Sequence, residues 1–140
     1  MAPDDPGLYQ EICRMKRQRQ DHEPPLATSE WGWRYHHMGI PTGEKFNDEK
    51  YLPALKMTVG GFEKSPLGIE WMRFDKDSTI NDLVQRIPHI AFEVDDIELE
   101  LKRHNFHIIT EINSPGKGIR VAMIEHNGAP IELIEFEKNK

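Results

Sequence analysis

The sequence has one cysteine, Cys13. No intrachain disulfide and no cysteine-built zinc site can form from it, and such usage fits a reducing compartment. No apolar run approaches the ~20 residues that a membrane-spanning helix needs, so no membrane partner is expected. Basic residues are also short, with 18 Lys and Arg against 24 Asp and Glu and a formal net charge of −6. A nucleic-acid binder presents a basic face or stripe. Here the one basic cluster, Arg14 to Arg19, lies in an N-terminal segment, and no nucleic-acid partner is expected. The opening Met1-Ala2-Pro3-Asp4-Asp5-Pro6 lacks the basic-then-apolar order of a signal peptide, so a cytoplasmic location is the expectation. Apolar residues are lean at 37%, yet 140 residues suffice for a single domain with its own core.

Residues 1–30 read as an arm and linker. Leu8, Ile12 and Met15 at helical spacing predict a helix over Leu8 to Arg19, and Pro24-Pro25 among polar neighbours marks a linker. The remainder, 31–138, reads as one domain with modules at about 34–76 and 86–137. The second module is the clearer. Strands are expected over Pro88 to Val94, Phe106 to Ile112, Ile119 to His126 and Pro130 to Glu137. Asp95-Asp96 caps a helix from Ile97 to about Asn105, Ser114 to Gly118 is a loop, and Asn127-Gly128 is a hairpin turn. In the first module, Tyr35 to Pro41, Lys56 to Phe62 and Gly68 to Asp75 read as strands, and Thr42 to Leu55 reads as a loop. One strand is missing or very short. A helix capped by Ser78 or Thr79 runs to Arg86.

The two modules repeat each other. Laying His37 on His89 aligns Tyr35-His36-His37-Met38-Gly39-Ile40 with Ile87-Pro88-His89-Ile90-Ala91-Phe92. Gly68-Ile69-Glu70-Trp71-Met72-Arg73-Phe74 likewise parallels Pro130-Ile131-Glu132-Leu133-Ile134-Glu135-Phe136. Strand alternation puts Glu70 on a face with Met72 and Phe74, and Glu132 on one with Ile134 and Phe136. A carboxylate on an apolar face is costly unless paired or bound to a metal. Two at matching places, each in a half that opens with a histidine strand, form a set: His37, Glu70, His89 and Glu132. Two imidazoles and two carboxylates suit one divalent ion such as zinc, nickel, cobalt, manganese or iron(II), with two octahedral positions left for water or substrate oxygens. Alternation places His36 with Met38 and Ile40, in a core or interface role. His22, His104, His107 and His126 are expected in solvent, as are the acids Glu98 and Glu100 on their helix. The region Trp31-Gly32-Trp33 is expected at the interface of a homodimer.

These residues resemble the vicinal oxygen chelate superfamily, which includes glyoxalase I, methylmalonyl-CoA epimerase, extradiol dioxygenases and the fosfomycin- and bleomycin-resistance proteins. His37 to Ile40 looks like the family's first-strand histidine and Gly68 to Trp71 like its fourth-strand glutamate. Pro88 to Asp96 and Asn127 to Phe136 look like the fifth-strand histidine and last-strand glutamate. The resemblance implies an α+β fold of two βαβββ modules, whose strands form an open curved sheet, a cup, around the metal. The first module is abbreviated, about ten residues shorter between its histidine and its glutamate, and lacks the usual first-module helix. No glutathione-binding set is present. The resemblance further implies a metal-dependent lyase, isomerase or epimerase acting on a small α-hydroxycarbonyl-like substrate through a metal-stabilised enediolate, with Glu132 or Glu70 as the base. Two alternatives stay open: an iron(II) dioxygenase using His37, His89 and Glu132, and a non-catalytic, resistance-type small-molecule binder.

Overall fold

The structure, a computed structural model, describes residues 18–138. The helix expected over Leu8 to Arg19 lies outside them except for its last two positions. The chain divides after Trp33 into two units. In the first, Pro25 precedes a single helical turn, α1 (Leu26–Ser29). The Trp33 N–H donates to the Ala27 carbonyl at 2.9 Å, and the Trp31 and Trp33 rings meet edge to face at 5.2 Å. Trp33 is 4% exposed.

The second unit is an eight-stranded curled sheet with few helices. Its strands are β1 (Arg34–Pro41), β2 (Lys50–Leu52), β3 (Met57–Gly60), β4 (Ile69–Phe74), β5 (His89–Glu93), β6 (His107–Gly116), β7 (Ile119–His126) and β8 (Ala129–Phe136). Across the sheet they run β2-β3-β4-β1-β5-β8-β7-β6. Each module thus places its first strand parallel to its last, β1 on β4 and β5 on β8, and the modules meet where β1 and β5 pair antiparallel. The arrangement has an approximate twofold relation through that central pair, as the sequence repeat requires.

The modules differ in how their outer faces are covered. In the second, α3 (Ile97–Arg103) begins at Asp96, whose carboxylate accepts the Leu99 N–H at 3.1 Å. It packs on β7 and β8, and Ile97 is fully buried, as are Leu133, Ile124 and Ala122. Burying each such Leu or Ile side chain contributes about 1.5–3 kcal/mol. In the first module, residues 42–49 take the place of a helix. Glu49 forms a two-pronged pair with Arg73 at 2.6 and 3.0 Å, and the Arg73 guanidinium lies 5.4 Å from the Phe46 ring centre. Gly60 lies so close to this loop that an added Cβ would sit 2.8 Å from the Asp48 carbonyl. Within the segment expected to be a loop, three residues pair with β3 as the short β2.

Other local expectations shift for identifiable reasons. The helix expected from Ser78 is α2 (Asp82–Arg86), because Asn81, not Ser78, accepts the Leu83 N–H at 2.9 Å. The Ser78 hydroxyl instead donates to the Leu55 carbonyl at 2.8 Å. The expected loop at Ser114 to Gly118 contracts to Lys117-Gly118, since β6 continues through Pro115 to Gly116 with repeated register shifts. Gly118 turns the chain with φ of 76°, a conformation that favours glycine. The hairpin at Asn127-Gly128 forms as expected, with φ of 52° and 82°. His22, His107 and His126 are exposed, but His104 and Glu100 are not. One helical turn apart, they bond at 3.2 Å between His104 Nε2 and Glu100 Oε1, and Glu100 is 6% exposed. The pairing lets two polar groups be buried that the helix pattern assigned to solvent. Among the described residues, no helix is long and apolar enough to cross a membrane.

Candidate metal centre

The site forms on the inner face of the central four strands. Gly39 pairs with Glu70 on β4 and with His89 on β5, while Ala91 pairs with Glu132 on β8 and with His37 on β1. Paired residues in a ladder share a face, so all four candidate side chains project from one side. The two small residues do more than leave room. A Cβ built on Gly39 would lie 2.3 Å from His89 Cε1, so the His89 ring rests directly on the Gly39 backbone.

The ring nitrogens and one carboxylate converge. His89 Nε2 is 3.0 Å and His37 Nε2 3.4 Å from the same Glu132 oxygen, Oε1. One nitrogen or oxygen from each of His37, His89 and Glu132 lies within 4.8 Å of the others. Glu70 is set slightly apart, its Oε1 3.8 Å from His37 Nε2. Its side chain is 26% exposed, against 18% for Glu132. Both histidines are buried. The four residues expected from the repeat are therefore together, three in a tight group and Glu70 at its edge.

Charge sorts the two carboxylates. Burial raises the Glu132 carboxyl, but the hydrogen bonds and charges of His37 and His89 outweigh it and hold that carboxyl well below the usual range. Burial pushes the Glu70 carboxyl up, opposed by His37 and reinforced by the charge of Glu132. Burial disfavours the charged form of His37, yet its bond to Glu132 wins and raises it.

The residues suit a bound divalent ion. Three lone-pair-bearing atoms point at one small buried space, and such an approach is favourable only with protons or a cation among them. His89 Nδ1 is buried with no hydrogen-bond partner among the described residues, whichever ring nitrogen carries the proton. The N₂O donor set of His37, His89 and Glu132 matches zinc, nickel, cobalt, manganese and iron(II). The His37, His89 and Glu132 group can hold a metal ion.

Strict alternation misplaced one residue. The register shifts between Tyr35 and His37, so Tyr35 faces Phe92, His37 faces Ala91, and His36 is the extra residue of a bulge. A bulge turns a side chain from the face that alternation assigns. His36 lies not with Met38 and Ile40 but beside His37, Nδ1 to Nδ1 at 2.8 Å. Its ring stacks on Phe62 at 5.2 Å and contacts Phe136 at 5.4 Å. Two adjacent histidines in a strand, His36-His37, were the only signal of this in the sequence.

No protein-family model matches the chain, and no curated protein matches it. Solved structures do. A hypothetical protein, BH1468 from Bacillus halodurans C-125, superposes with a TM-score of 0.59 at 21% identity, over 77% of this chain and 97% of its own. The methylmalonyl-CoA epimerase of Mycobacterium tuberculosis superposes with a TM-score of 0.52 at 19% identity, over 75% of this chain and 89% of its own. At such identities the likeness concerns the fold. Strand order, the twofold pairing across β1 and β5, and these neighbours together identify the fold as the two-module cup of the vicinal oxygen chelate proteins.

Proposed function

We propose that this chain is a divalent-metal-dependent lyase, isomerase or epimerase that moves a proton α to a carbonyl in a small α-hydroxycarbonyl-like substrate. The observation that carries the reading is the second carboxylate, Glu70, 3.8 Å from His37 Nε2 at the open edge of the group. His37, His89 and Glu132 would hold the ion, with Glu70 beside them as a fourth ligand or free carboxylate. When bound, a divalent ion supplies Lewis acidity toward two neighbouring substrate oxygens, offsetting negative charge as it develops. Glu132 stays ionised between the two imidazoles. Glu70, whose carboxyl burial pushes up, is suited to take and return a proton, a role that typically contributes about 10²–10⁴-fold. Glu132 is the other candidate base. Phe62, 5.8 Å from His37 ring to ring, supports an apolar wall beside the site. A neighbour of this fold named an epimerase is in keeping with the reading by analogy. We further propose a homodimer with the Trp31-Gly32-Trp33 region at its interface, in the cytoplasm, where a single cysteine fits the reducing conditions.

The test is solvent exchange. Protein loaded with zinc, cobalt, nickel or manganese is incubated in deuterated buffer with a panel of α-hydroxyketones and α-hydroxyaldehydes, and loss of the α-proton is followed by NMR. The reading expects catalysed exchange on at least one compound, reduced about 10²–10⁴-fold in Glu70→Gln at unchanged metal content. Absence of exchange above buffer across the panel overturns it.

A second reading rests on the tight grouping of only His37, His89 and Glu132. Two histidines and one carboxylate suit iron(II) and oxygen chemistry. That reading expects substrate-dependent oxygen uptake by iron(II)-loaded protein and none by the zinc form.

A further inference from the structure

His36 is unexplained by the donor set, yet it is held with some care. The bulge interrupts the regular β1–β5 ladder at this residue and sets two consecutive imidazoles on the inner face. Bulges are frequent beside active sites because they re-aim a side chain. Phe62 fixes the plane of the His36 ring, stacking at 5.2 Å with 19° between planes, and Phe136 meets it at 5.4 Å. The outcome is one short contact, His36 Nδ1 to His37 Nδ1 at 2.8 Å.

Two ring nitrogens at that distance require one proton between them. If His36 donates, His37 Nδ1 is the acceptor, and a neutral His37 carries its proton on Nε2, the atom that faces Glu132. That nitrogen then has no lone pair to offer. If His37 donates, its proton sits on Nδ1 and the Nε2 lone pair faces the space shared with Glu132 Oε1 and His89 Nε2, 3.4 Å from the former. Histidines that bind metals commonly donate their other ring N–H to a fixed acceptor, and loss of that acceptor typically costs about 10–100-fold in metal affinity.

We propose that His36 is the positioning residue of the metal centre: its Nδ1 accepts the Nδ1–H of His37 and thereby holds His37 in the tautomer and orientation that present Nε2 to the ion. An imidazole in place of the more usual carboxylate or backbone carbonyl adds no negative charge to the site. It also ties His37 to the Phe62 and Phe136 rings that hold His36. The inference rests on the reading that His37, His89 and Glu132 bind a divalent ion.

The experiment compares zinc affinity, measured by competition with a chromophoric chelator, in wild type, His36→Phe and His36→Asn. Phenylalanine keeps the aromatic packing and removes the acceptor; asparagine keeps an acceptor at the δ position and removes the ring. The expected result is a 10–100-fold loss in His36→Phe and affinity within about threefold of wild type in His36→Asn. A long-range nitrogen–proton NMR spectrum of the zinc-loaded wild type should show His36 protonated on Nε2 and His37 on Nδ1. Equal affinity in His36→Phe and wild type overturns the proposal, as does an equal loss in both variants or a His36 protonated on Nδ1. Should His36→Phe fail to fold, the His36→Asn affinity and the wild-type tautomers decide. Wild type that takes up no zinc overturns the metal reading itself, and the proposal with it.

Discussion

Gly39→Ala isolates the geometry of the centre with a single methyl group. The φ of Gly39 is not in the left-handed region, so alanine is compatible with the backbone, and the obstacle is the His89 ring 2.3 Å from the new Cβ. An ordinary carbon–carbon contact is about 3.5 Å, so the ring must move by roughly 1 Å. It is buried beside Ala91, which is itself fully covered. Overpacking of this kind costs about 1–3 kcal/mol, partly offset by the ~0.4–1 kcal/mol that Gly→Ala removes from unfolded-chain entropy. A net loss of about 1 kcal/mol lowers the apoprotein melting temperature by roughly 4 °C in a chain of this size. The larger effect falls on the metal, because ligand distances tolerate only about ±0.2 Å. Zinc affinity should drop by at least about 100-fold, the upper end of what losing a supporting contact produces. Gly43→Ala is the matched control, since a Cβ there meets nothing within 4 Å. Calorimetric titration and melting of both variants provide the assay. Gly39→Ala with wild-type zinc affinity would refute the placement of His89 over Gly39 as part of a metal centre.

Glu132→Gln should fold, since the volume is nearly unchanged, but its melting temperature should no longer respond to a chelator; a chelator response equal to that of wild type contradicts the ligand role. Glu100→Ala should lower the unfolding free energy by about 1–3 kcal/mol, read as a lower urea midpoint at unchanged m, because buried His104 loses a partner; zinc affinity should not change. Arg73 holds the Glu49 carboxyl down to about 2. Its contribution is therefore present above the unfolded value of about 4.3 and is lost as pH falls from there toward 2. Acid titration of Glu49→Gln should show a shallower loss of stability over that window, and an identical profile contradicts the role given to the pair. A homodimer is expected by light scattering at tens of micromolar, and a monomer there counts against it.

The repeat made the cluster of four side chains legible. His37, Glu70, His89 and Glu132 could be chosen because an alternating strand reveals a carboxylate among apolar neighbours, and because the same anomaly occurs twice. The second module was readable for a further reason: Asp96, Asn127 and Gly128 are local signals whose effect lies within a few residues. What was missed depends on contacts distant in sequence. β2 exists because residues 50–52 pair with β3, and nothing in Lys50-Tyr51-Leu52 alternates over enough positions to announce a strand. Glu100 and His104 looked solvated until the helix packed and buried them as a pair. The bulge at His36 was hidden because alternation assumes an unbroken ladder, and the shift is set by β5 across the sheet.

The central claim is that His37, His89 and Glu132 bind one divalent ion. Crystals of the chain grown with zinc and measured at the zinc absorption edge test it most directly. The account predicts one anomalous peak per chain, roughly 2.0–2.2 Å from His37 Nε2, His89 Nε2 and a Glu132 carboxylate oxygen. A map with no peak among these three side chains, or with zinc bound only elsewhere on the surface, would contradict it.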